Sequence, residues 1–327
     1  MDRTRLTVAM CTYNGARFLS EQLESIAAQT RVPDELVVCD DGSTDETVEI
    51  IKAFVERAPF AVRLEINRRN LGSTKNFEKA IGLCEGDIIA LADQDDVWKP
   101  RKVATLEAAL EEHPEAGYVF SDADLIDEGG ALTGATLWKS VRFQGAILRS
   151  FSGSEQVKYL LRRSAVTGAT MAFRSGLKKI LSPIGSQFAH DYWISLLSSC
   201  IGSYGLPIPR RLILYRQHGG QQVGVPRGSI LEKVRRARHV GAANFCNMTQ
   251  WYRDMRERLK SATTEGKVYP AVNVHLLEEK IVHCSRREAA HSARGSARVG
   301  KIFSEVITGR YARFSDSWQS VVRDLCF

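Results

Sequence analysis

Short apolar runs and amphipathic stretches alternate along the first half of the chain. Runs such as Leu6–Met10 and Asp87–Ala92 have the length and composition of buried strands. Between the runs, apolar residues recur every three or four positions, as in helices that pack against a sheet. This alternation predicts an α/β fold with a mainly parallel sheet flanked by helices. The predicted strands are Leu6–Met10, Glu35–Cys39, Val62–Ile66, Asp87–Ala92 and Gly117–Ser121, and the predicted helices are Ala16–Ala28, Thr44–Arg57, Thr74–Leu83 and Pro100–Glu112.

The pattern becomes less regular after the fifth predicted strand. The stretch from Gly129 to Gly153 is rich in Gly, Ser and Thr and predicts a loop. The last hundred residues have the spacing of helices. We therefore predict two domains, residues 1–227 and a basic helical extension at 228–327. The elements predicted between them are the strands Val166–Phe173 and Pro207–Tyr215, the helix His190–Cys200, and a Gly-rich lid or linker at Gly219–Gly228.

Composition narrows the class of protein. The chain has 327 residues, of which 44% are hydrophobic and 25% charged, as in ordinary globular proteins. No apolar run approaches 18 residues and no signal-peptide core precedes the first strand, so we expect a cytoplasmic protein without a membrane span. The seven cysteines are scattered without a Cys-x-x-Cys pair, which predicts reduced thiols and argues against a zinc site.

Charge is distributed unevenly along the chain. The net charge is +7, and the excess of Lys and Arg lies in the last hundred residues. A basic surface suits an anionic partner. We expect no nucleic acid, because no nucleic-acid-binding motif accompanies the Arg clusters. Three explanations stay open for the extension: peripheral contact with the anionic inner face of the cell membrane, a homodimer contact, or an ordinary solvated helical hairpin.

Polar clusters follow four of the predicted strands. Ligands bind at the carboxyl ends of the strands in sheets of this kind, so these clusters would meet at one edge. Each cluster alone is also explained as a helix cap, but four in series predict a nucleotide-binding site. The clusters are Thr12-Tyr13-Asn14, Asp40-Asp41-Gly42-Ser43, Asn67 to Asn70, and Asp93 to Asp96.

The last of these clusters contains an acidic triplet, Asp93-Gln94-Asp95. Adjacent carboxylates repel one another, and such a cluster usually binds a cation. Divalent cations such as Mg²⁺ prefer oxygen ligands and often bridge to phosphates. The triplet therefore predicts a site for a metal-bound diphosphate. In the alternative, Asp95 or Asp96 merely caps the following helix.

Taken in order, these motifs resemble glycosyltransferase family 2, whose members are inverting enzymes with the GT-A fold. The resemblance covers about residues 5–225. Asp-Gln-Asp-Asp-x-Trp and Tyr-Arg-Gln-His-Gly are similar to bacterial rhamnosyltransferases of the family, although Gly220-Gln221-Gln222 departs from the Asn that often follows His-Gly there. The matching segments are Cys11 to Gly15, Asp40 to Asp45, Asn70 to Gly72 with Lys75-Asn76, Asp93 to Asp95, His190-Asp191, and Tyr215 to Gly219.

The resemblance implies a metal-dependent transfer of a sugar to a hydroxyl group of a lipid-linked cell-surface polysaccharide precursor. The expected donor is dTDP-rhamnose, with a UDP-hexose as the alternative. Asp191 would be the general base, and the competing explanation is that it only caps its helix. The metal, Mg²⁺ or Mn²⁺, would be held by Asp95, Asp93 and His218. The expected donor-binding residues are Thr12, Tyr13, Asn14, Asp40, Asp41, Asn70, Lys75, Asp93, Gln94 and Arg216.

Other functions fit the sequence less well. A dinucleotide oxidoreductase is disfavoured because no G-x-G-x-x-G follows the first strand. A sugar-nucleotide pyrophosphorylase would need a Gly-rich loop with Lys or Arg after that strand, which Cys11 to Gly15 does not supply. A non-catalytic module that binds nucleotide sugars or nucleic acid is the remaining alternative.

Overall fold

The structure is a computed structural model that describes residues 3–185, 189–219, 241–263 and 269–326. The chain divides into two compact units, which we call the sheet unit and the helical unit. The predicted domain boundary at 227/228 and most of the predicted lid lie outside the described residues. The sheet unit comprises Met1–Ser152, Ala165–Ser198 and Ser203–Val225, and the helical unit comprises Gly153–Ser164, Ser199–Gly202 and Pro226–Phe327.

A single mixed sheet of nine strands, counted over the described residues, forms the centre of the sheet unit. The strands are β1 (Leu6–Thr12), β2 (Glu35–Asp40), β3 (Ala61–Ile66), β4 (Ile88–Ala92), β5 (Val97–Trp98), β6 (Tyr118–Ile126), β7 (Leu132–Thr136), β8 (Met171–Arg174) and β9 (Gly205–Arg216). Their order is β3-β2-β1-β4-β8-β6-β9-β5, with β7 paired to β6. β1, β2, β3 and β4 run parallel to one another, as do β6 and β9. The predicted α/β sheet fold is confirmed.

Amphipathic helices connect the strands. Leu19, Leu23 and Ile26 of the first helix recur three or four residues apart and are all buried, which explains why this segment is helical and packs inward. The helices are α1 (Ala16–Ala27), α2 (Thr47–Val55), α3 (Ser73–Leu83), α4 (Lys102–Glu112), α5 (Leu137–Ser140), α6 (Ala146–Ser150), α7 (Gly153–Arg162), α8 (Lys178–Leu181), α9 (His190–Cys200), α10 (Ala242–Thr263), α11 (Ala271–His291), α12 (Gly295–Ile307), α13 (Arg310–Phe314) and α14 (Trp318–Cys326).

The predicted loop from Gly129 to Gly153 is wrong, because this segment contains β7, α5 and α6. Its aromatic side chains pack on Phe120 of β6. The ring centroids of Trp138, Phe143 and Phe151 lie 5.6–5.7 Å from that of Phe120. Aromatic packing of this kind depends on a partner strand that no local pattern reveals, and it outweighs the loop-like composition.

Two strand predictions also need correction. Gly168–Thr170, assigned to a strand, forms a 3₁₀ turn, and β8 begins only at Met171. The two-residue strand β5 was not predicted at all. It exists because Val97 pairs with Leu214 of β9, more than a hundred residues away, so its own sequence carries no signal.

A buried ionic network fixes the helices of the helical unit to one another. The guanidinium group of Arg287 donates two hydrogen bonds to Asp324, at 2.6 and 2.7 Å, and the Tyr311 hydroxyl donates a third at 2.7 Å. Burial alone would raise the pKa of Asp324, but contacts with His291 and Arg287 hold it well below its usual range. None of the helices in the described ranges is long and apolar enough to cross a membrane.

Candidate active site

The polar strand ends predicted to meet lie side by side at one edge of the sheet. Thr12 is the register partner of Asp40 across β1 and β2. On the other side of β1, Met10 is level with Ala92, so the acidic segment that begins at Asp93 extends past the same edge. Parallel pairing of β1 with both neighbours therefore brings three of the four predicted clusters together.

The side chain of Asp40 is fully buried and holds the turn after β2. It accepts hydrogen bonds from the Thr12 hydroxyl at 2.8 Å and from the backbone N–H groups of Ser43 at 2.8 Å and Gly42 at 3.1 Å. An ionised carboxylate has about four acceptor positions, so it can accept all of these hydrogen bonds at once. Thr12 and Asp40 therefore hold the turn after β2 in place at this edge of the sheet.

Asp41 has a similar function for the loop after β3. Its carboxylate accepts hydrogen bonds from the backbone N–H groups of Leu71 at 2.8 Å and Gly72 at 2.9 Å, and from the Asn67 amide at 2.9 Å. Asn70, in the same loop, accepts a hydrogen bond from the Gly72 N–H at 3.0 Å, and its side chain lies at the surface. Asp41 thus ties this loop to β2.

Gln94 connects the acidic segment to the turn after β1. Its amide accepts a hydrogen bond from the Tyr13 N–H at 2.8 Å and donates one to the Tyr13 carbonyl at 3.1 Å. A Cβ atom on Gly15 would lie 2.2 Å from the Gln94 oxygen, so a larger residue would displace the Gln94 amide. Asn14 has φ = +47° and accepts a hydrogen bond from the Thr44 N–H at 2.8 Å. The Tyr13 side chain is 44% exposed, although its backbone is held by the Gln94 amide.

Lys75 already has partners within the sheet unit. Its ammonium group lies 2.6 Å from the Glu78 carboxylate and donates a hydrogen bond to the Ile184 carbonyl at 2.7 Å. The side chain is 37% exposed. To reach a phosphate or a base, as the sequence predicts, Lys75 would have to give up both contacts.

Arg216 at the end of β9 braces the acidic segment from within. Its Nε donates a hydrogen bond to the Asp95 carbonyl at 2.9 Å, and its backbone N–H donates one to Asp96 at 3.0 Å. The guanidinium group also pairs with Glu21 and lies 4.7 Å from the centre of the Phe18 ring. With only 3% of its side chain exposed, Arg216 is positioned to hold the segment.

The acidic segment itself carries charge that its surroundings do not neutralise. Burial, together with the neighbouring carboxylates of Asp95 and Asp191, raises the pKa of Asp93 to about 7. Burial and the carboxylates of Asp95 and Asp93 raise the pKa of Asp96 as well, and its Oδ2 has no hydrogen-bond partner in the part of the chain that the structure describes. Asp95 is 2.7 Å from the Nε2 atom of His218. We call Asp93, Asp95 and Asp96 the acidic centre.

The sequence analysis missed a buried lysine beside the acidic centre. Lys102 is fully buried, donates a hydrogen bond to the Ala169 carbonyl at 2.6 Å and lies 3.5 Å from the centre of the Trp98 ring. Burial lowers the pKa of Lys102 well below its usual range, although Asp96 and Asp93 oppose that shift. A lysine at the start of a helix usually faces solvent, so the sequence does not indicate that Lys102 is buried. Its four-residue spacing from Trp98 is the only local signal.

Asp191 lies inside the first turn of α9, which begins at His190, so it is not the cap of that helix. Its carboxylate accepts hydrogen bonds from the backbone N–H groups of Gly168 at 2.8 Å and Tyr192 at 2.7 Å. A Cβ atom on Gly168 would lie 2.7 Å from the His190 ring. The absence of a side chain at residue 168 thus allows close packing against α9.

Two tryptophans that lie close in sequence to the acidic centre and to Asp191 are buried. Trp193 is 2% exposed and donates a hydrogen bond to the Leu181 carbonyl at 2.8 Å. Trp98 is also 2% exposed and has Lys102 against its ring. Both therefore belong to the core, as large aromatic side chains commonly do.

The donor set at the acidic centre fits a divalent cation that also binds phosphate. Among the described residues, no three His, Cys, Asp or Glu side chains form a complete ligand set on their own. Asp95 and His218 nevertheless lie together, and the raised pKa of Asp93 and the unpartnered oxygen of Asp96 indicate unbalanced negative charge. Mg²⁺ and Mn²⁺ typically take only part of their ligands from protein. The missing ligands would come from a diphosphate.

Solved structures with the same fold bind nucleotide sugars. S. aureus TarS 1–349 in complex with UDP-GlcNAc is 16% identical, with 94% of this chain and 92% of that chain covered and a TM-score of 0.56. A mannosyltransferase, PcManGT from Pyrobaculum calidifontis in complex with GDP-Man and Mn²⁺, is 18% identical, with coverages of 99% and 87% and a TM-score of 0.54. At this identity the likeness concerns the fold alone. The predicted GT-A fold, a class of nucleotide-sugar-dependent transferases, is confirmed.

The sequence matches the family model described as glycosyl transferase family 2 over residues 7–181. The chain therefore belongs to glycosyltransferase family 2, and the expectation of a glycosyltransferase domain is confirmed. An uncharacterized glycosyltransferase of Nostoc sp. is 34% identical over 123 residues, 38% of each chain. The matches span between 38% and 59% of the length of the first curated relatives.

Proposed function

We propose that this protein is an inverting, metal-dependent glycosyltransferase that moves a sugar from a nucleoside diphosphate to a hydroxyl group of a cell-surface polysaccharide precursor. The observation that carries the proposal is the acidic centre at the end of β4, where burial and neighbouring carboxylates raise the pKa of Asp93 and of Asp96. Perturbed carboxylates concentrated at one strand end are typical of functional sites. Within this family, such a site fits a donor whose diphosphate is bound through a cation.

The acidic centre would hold the cation through Asp95 and Asp93, with His218 as a third ligand. What a bound Mg²⁺ or Mn²⁺ supplies is neutralisation of the negative charge on the departing diphosphate. Imidazole suits Mn²⁺ better than Mg²⁺, and the Mn²⁺ in the PcManGT complex supports the same choice. Arg216 and Gln94 contribute by keeping the segment that carries these ligands in one conformation.

Asp191 is the general base in this proposal. Its two backbone hydrogen bonds fix the direction of the carboxylate, as a positioned general base requires. As the acceptor oxygen bonds to the anomeric carbon, its proton passes to Asp191 and the bond from carbon to the diphosphate oxygen breaks. A single displacement of this kind inverts the anomeric centre and needs no second carboxylate as nucleophile.

The nucleoside would lie over the turn after β1. Tyr13 is our first choice for contact with the base, because its ring is the exposed part of an otherwise fixed turn. The other predicted donor-binding residues would shape the pocket mainly by holding its loops. They are Thr12, Asn14, Asp40, Asp41, Asn70 and Gln94, with Lys75 able to join only if it leaves Glu78.

The proposed donor is dTDP-rhamnose, and the proposed acceptor is a lipid-linked glycan. The support for rhamnose is the similarity of the segments Asp93–Trp98 and Tyr215–Gly219 to rhamnosyltransferases of the family. A UDP-hexose is the alternative, and the UDP-GlcNAc complex of TarS supports a UDP-sugar to the same limited degree. A few hydrogen bonds in the pocket decide such specificity, so a direct assay is needed.

The test is release of nucleoside diphosphate from dTDP-, UDP- and GDP-sugars by the full chain, with Mn²⁺ or Mg²⁺ and with EDTA. We expect slow hydrolysis of one donor that EDTA stops and that Asp95→Asn reduces by at least about 10²-fold. The matched control is Glu85→Gln, the same chemical change at an exposed residue just before β4, which should leave the rate unchanged.

Two results would contradict the proposal. Hydrolysis that continues at the same rate in EDTA would remove the metal from the mechanism. Absence of hydrolysis together with absence of nucleotide-sugar binding by calorimetry would favour the non-catalytic alternative.

A further inference from the structure

The helical unit exposes apolar side chains along one side of two helices, α12 and α14. Ile307 is 83% exposed, Trp318 68% and Phe303 60%, values far above those of core residues. Exposed apolar side chains that cluster in this way mark interaction surfaces, whereas isolated ones need no explanation. We call six of these side chains the apolar patch: Val299, Phe303, Ile307, Trp318, Val322 and Leu325.

The two helices that carry the patch are held against each other. The Arg298 side chain on α12 donates a hydrogen bond to the carbonyl oxygen of Asp324 on α14 at 2.8 Å. On their inner faces, Ile302 of α12 and Val321 of α14 pack into the same cluster with Tyr311. The inner faces are therefore already occupied, and only the outer faces remain for a partner.

The two helices share one arrangement of residues. Counting from Val299 in α12 and Trp318 in α14, exposed apolar residues recur four positions later, at Phe303 and Val322. Six positions after the same starting points, each helix has an acidic residue that is buried. These acids are Glu305, which bonds His283, and Asp324, which bonds Arg287. Each helix thus turns its negative charge inward and its apolar side outward.

The charges that remain at the surface of this region are mainly positive. Residues 294–326 contain six Lys and Arg and three Asp and Glu. Two of the acids are the buried Glu305 and Asp324, and the third, Asp316, pairs with Arg163. Arg310, Arg313 and Arg323 pair with Glu279, Glu305 or Asp324, which leaves Arg294, Arg298 and Lys301 without a carboxylate partner among the described residues. An apolar patch with Trp and Phe beside such cations has the composition of helices that lie in a lipid interface. The basic residues are Arg294, Arg298, Lys301, Arg310, Arg313 and Arg323.

We propose that the apolar patch docks the helical unit on the surface of an anionic lipid bilayer. Its apolar side chains would enter the boundary between headgroups and acyl chains, and the surrounding Lys and Arg would contact the anionic headgroups. A second copy of the chain is a weaker candidate, because a symmetric contact would bring the same cationic region of two molecules together. Docking does not depend on the transferase reaction, so it is tested without donor or acceptor.

The experiment is co-sedimentation of the full chain with vesicles of equal parts phosphatidylglycerol and phosphatidylcholine, and with vesicles of phosphatidylcholine alone. We expect binding to the anionic vesicles that weakens as salt is added. The triple variant Phe303→Ser/Ile307→Ser/Trp318→Ser should lower the partition coefficient at least about 100-fold. The double variant Arg294→Gln/Lys301→Gln should lower it about tenfold on anionic vesicles alone.

A matched control separates the patch from exposed apolar residues in general. Leu132→Ser, at a β7 side chain that is 67% exposed, should leave vesicle binding unchanged. Because the substituted side chains are mostly exposed, we expect each variant to retain the wild-type circular dichroism spectrum.

Two results would overturn the proposal. One is wild-type binding to anionic vesicles that the triple variant does not weaken. The other is no vesicle binding together with a wild-type dimer, seen by analytical ultracentrifugation, that the triple variant dissociates. That result would assign the patch to a second copy of the chain.

Discussion

The acidic centre of the sheet unit and Asp324 of the helical unit are both buried carboxylates, yet their electrostatics are opposite. Asp324 receives three hydrogen bonds from Arg287 and Tyr311, and its pKa is lowered. The pKa of Asp93 is raised to about 7, because it is buried and because Asp95 and Asp191 are close to it. Removing one member of a buried ion pair with complete partners is strongly destabilising. A carboxylate left without such partners remains available to a ligand, at a cost in stability.

The largest effect should come from the base beside the acidic centre. We expect Asp191→Asn to reduce transfer about 10²–10⁴-fold while donor affinity stays near wild type, because an amide cannot accept the proton. Donor binding is measured by calorimetry and transfer by product formation once the donor is identified. Transfer at the wild-type rate would show that another group is the base.

The next largest effect should be the loss of a complete partner set in the helical unit. Asp324→Asn leaves the buried Arg287 guanidinium without its counter-charge, and we expect about 3–5 kcal/mol of destabilisation. Hydrogen exchange of amides in α11 reports this locally. The control, Asp316→Asn at an exposed ion pair, should cost less than about 1 kcal/mol. Equal effects of the two variants would remove the contrast on which the comparison rests.

A smaller effect of opposite sign should come from Asp93→Asn. In an unfolded chain the carboxyl group has a pKa of about 4, and folding raises the pKa of Asp93 to about 7. The free energy of unfolding therefore falls as the pH rises from about 4 to about 7, because the unfolded chain loses this proton first. Above about 7 the full cost is present. We expect the variant to be about 1–2 kcal/mol more stable than wild type at pH 8, with a smaller difference at pH 5.

Denaturant unfolding of the full chain without metal, at both pH values, measures this difference. Added Mn²⁺ should stabilise the wild type more than the variant, because the ion would relieve the same repulsion. A variant that is less stable than wild type at pH 8 would show that Asp93 is compensated after all.

Much of the sheet unit could be predicted from sequence because its signals are local. β1 to β4 and the helices between them follow from apolar spacing within single segments, and the strand ends locate the polar clusters. Segments that depend on distant partners were missed. Trp138 and Phe143 find their partner Phe120 only once β6 is formed, and β5 forms only against β9.

At the site, the sequence located the polar segments but did not indicate what each side chain contacts. Asp40 and Asp41 look alike in the sequence, but backbone geometry commits one to the turn after β2 and the other to the loop after β3. Lys102 escaped notice because its burial depends on Ala169 and on the acidic centre. Which polar groups stay unpaired depends on three-dimensional neighbours, and a linear pattern cannot supply that information.

The position of Arg216 has a practical consequence for anyone who divides or recombines this chain. The family match ends at Leu181, but the segment that fastens Asp95 and Asp96 in place comes from β9. A fragment cut at the limit of the match would lose β9, which secures the acidic loop, along with Asp191 and His218. Chimeras that exchange donor preference between relatives should therefore place their junction beyond residue 219, so that the fastening strand is inherited with the loop it holds.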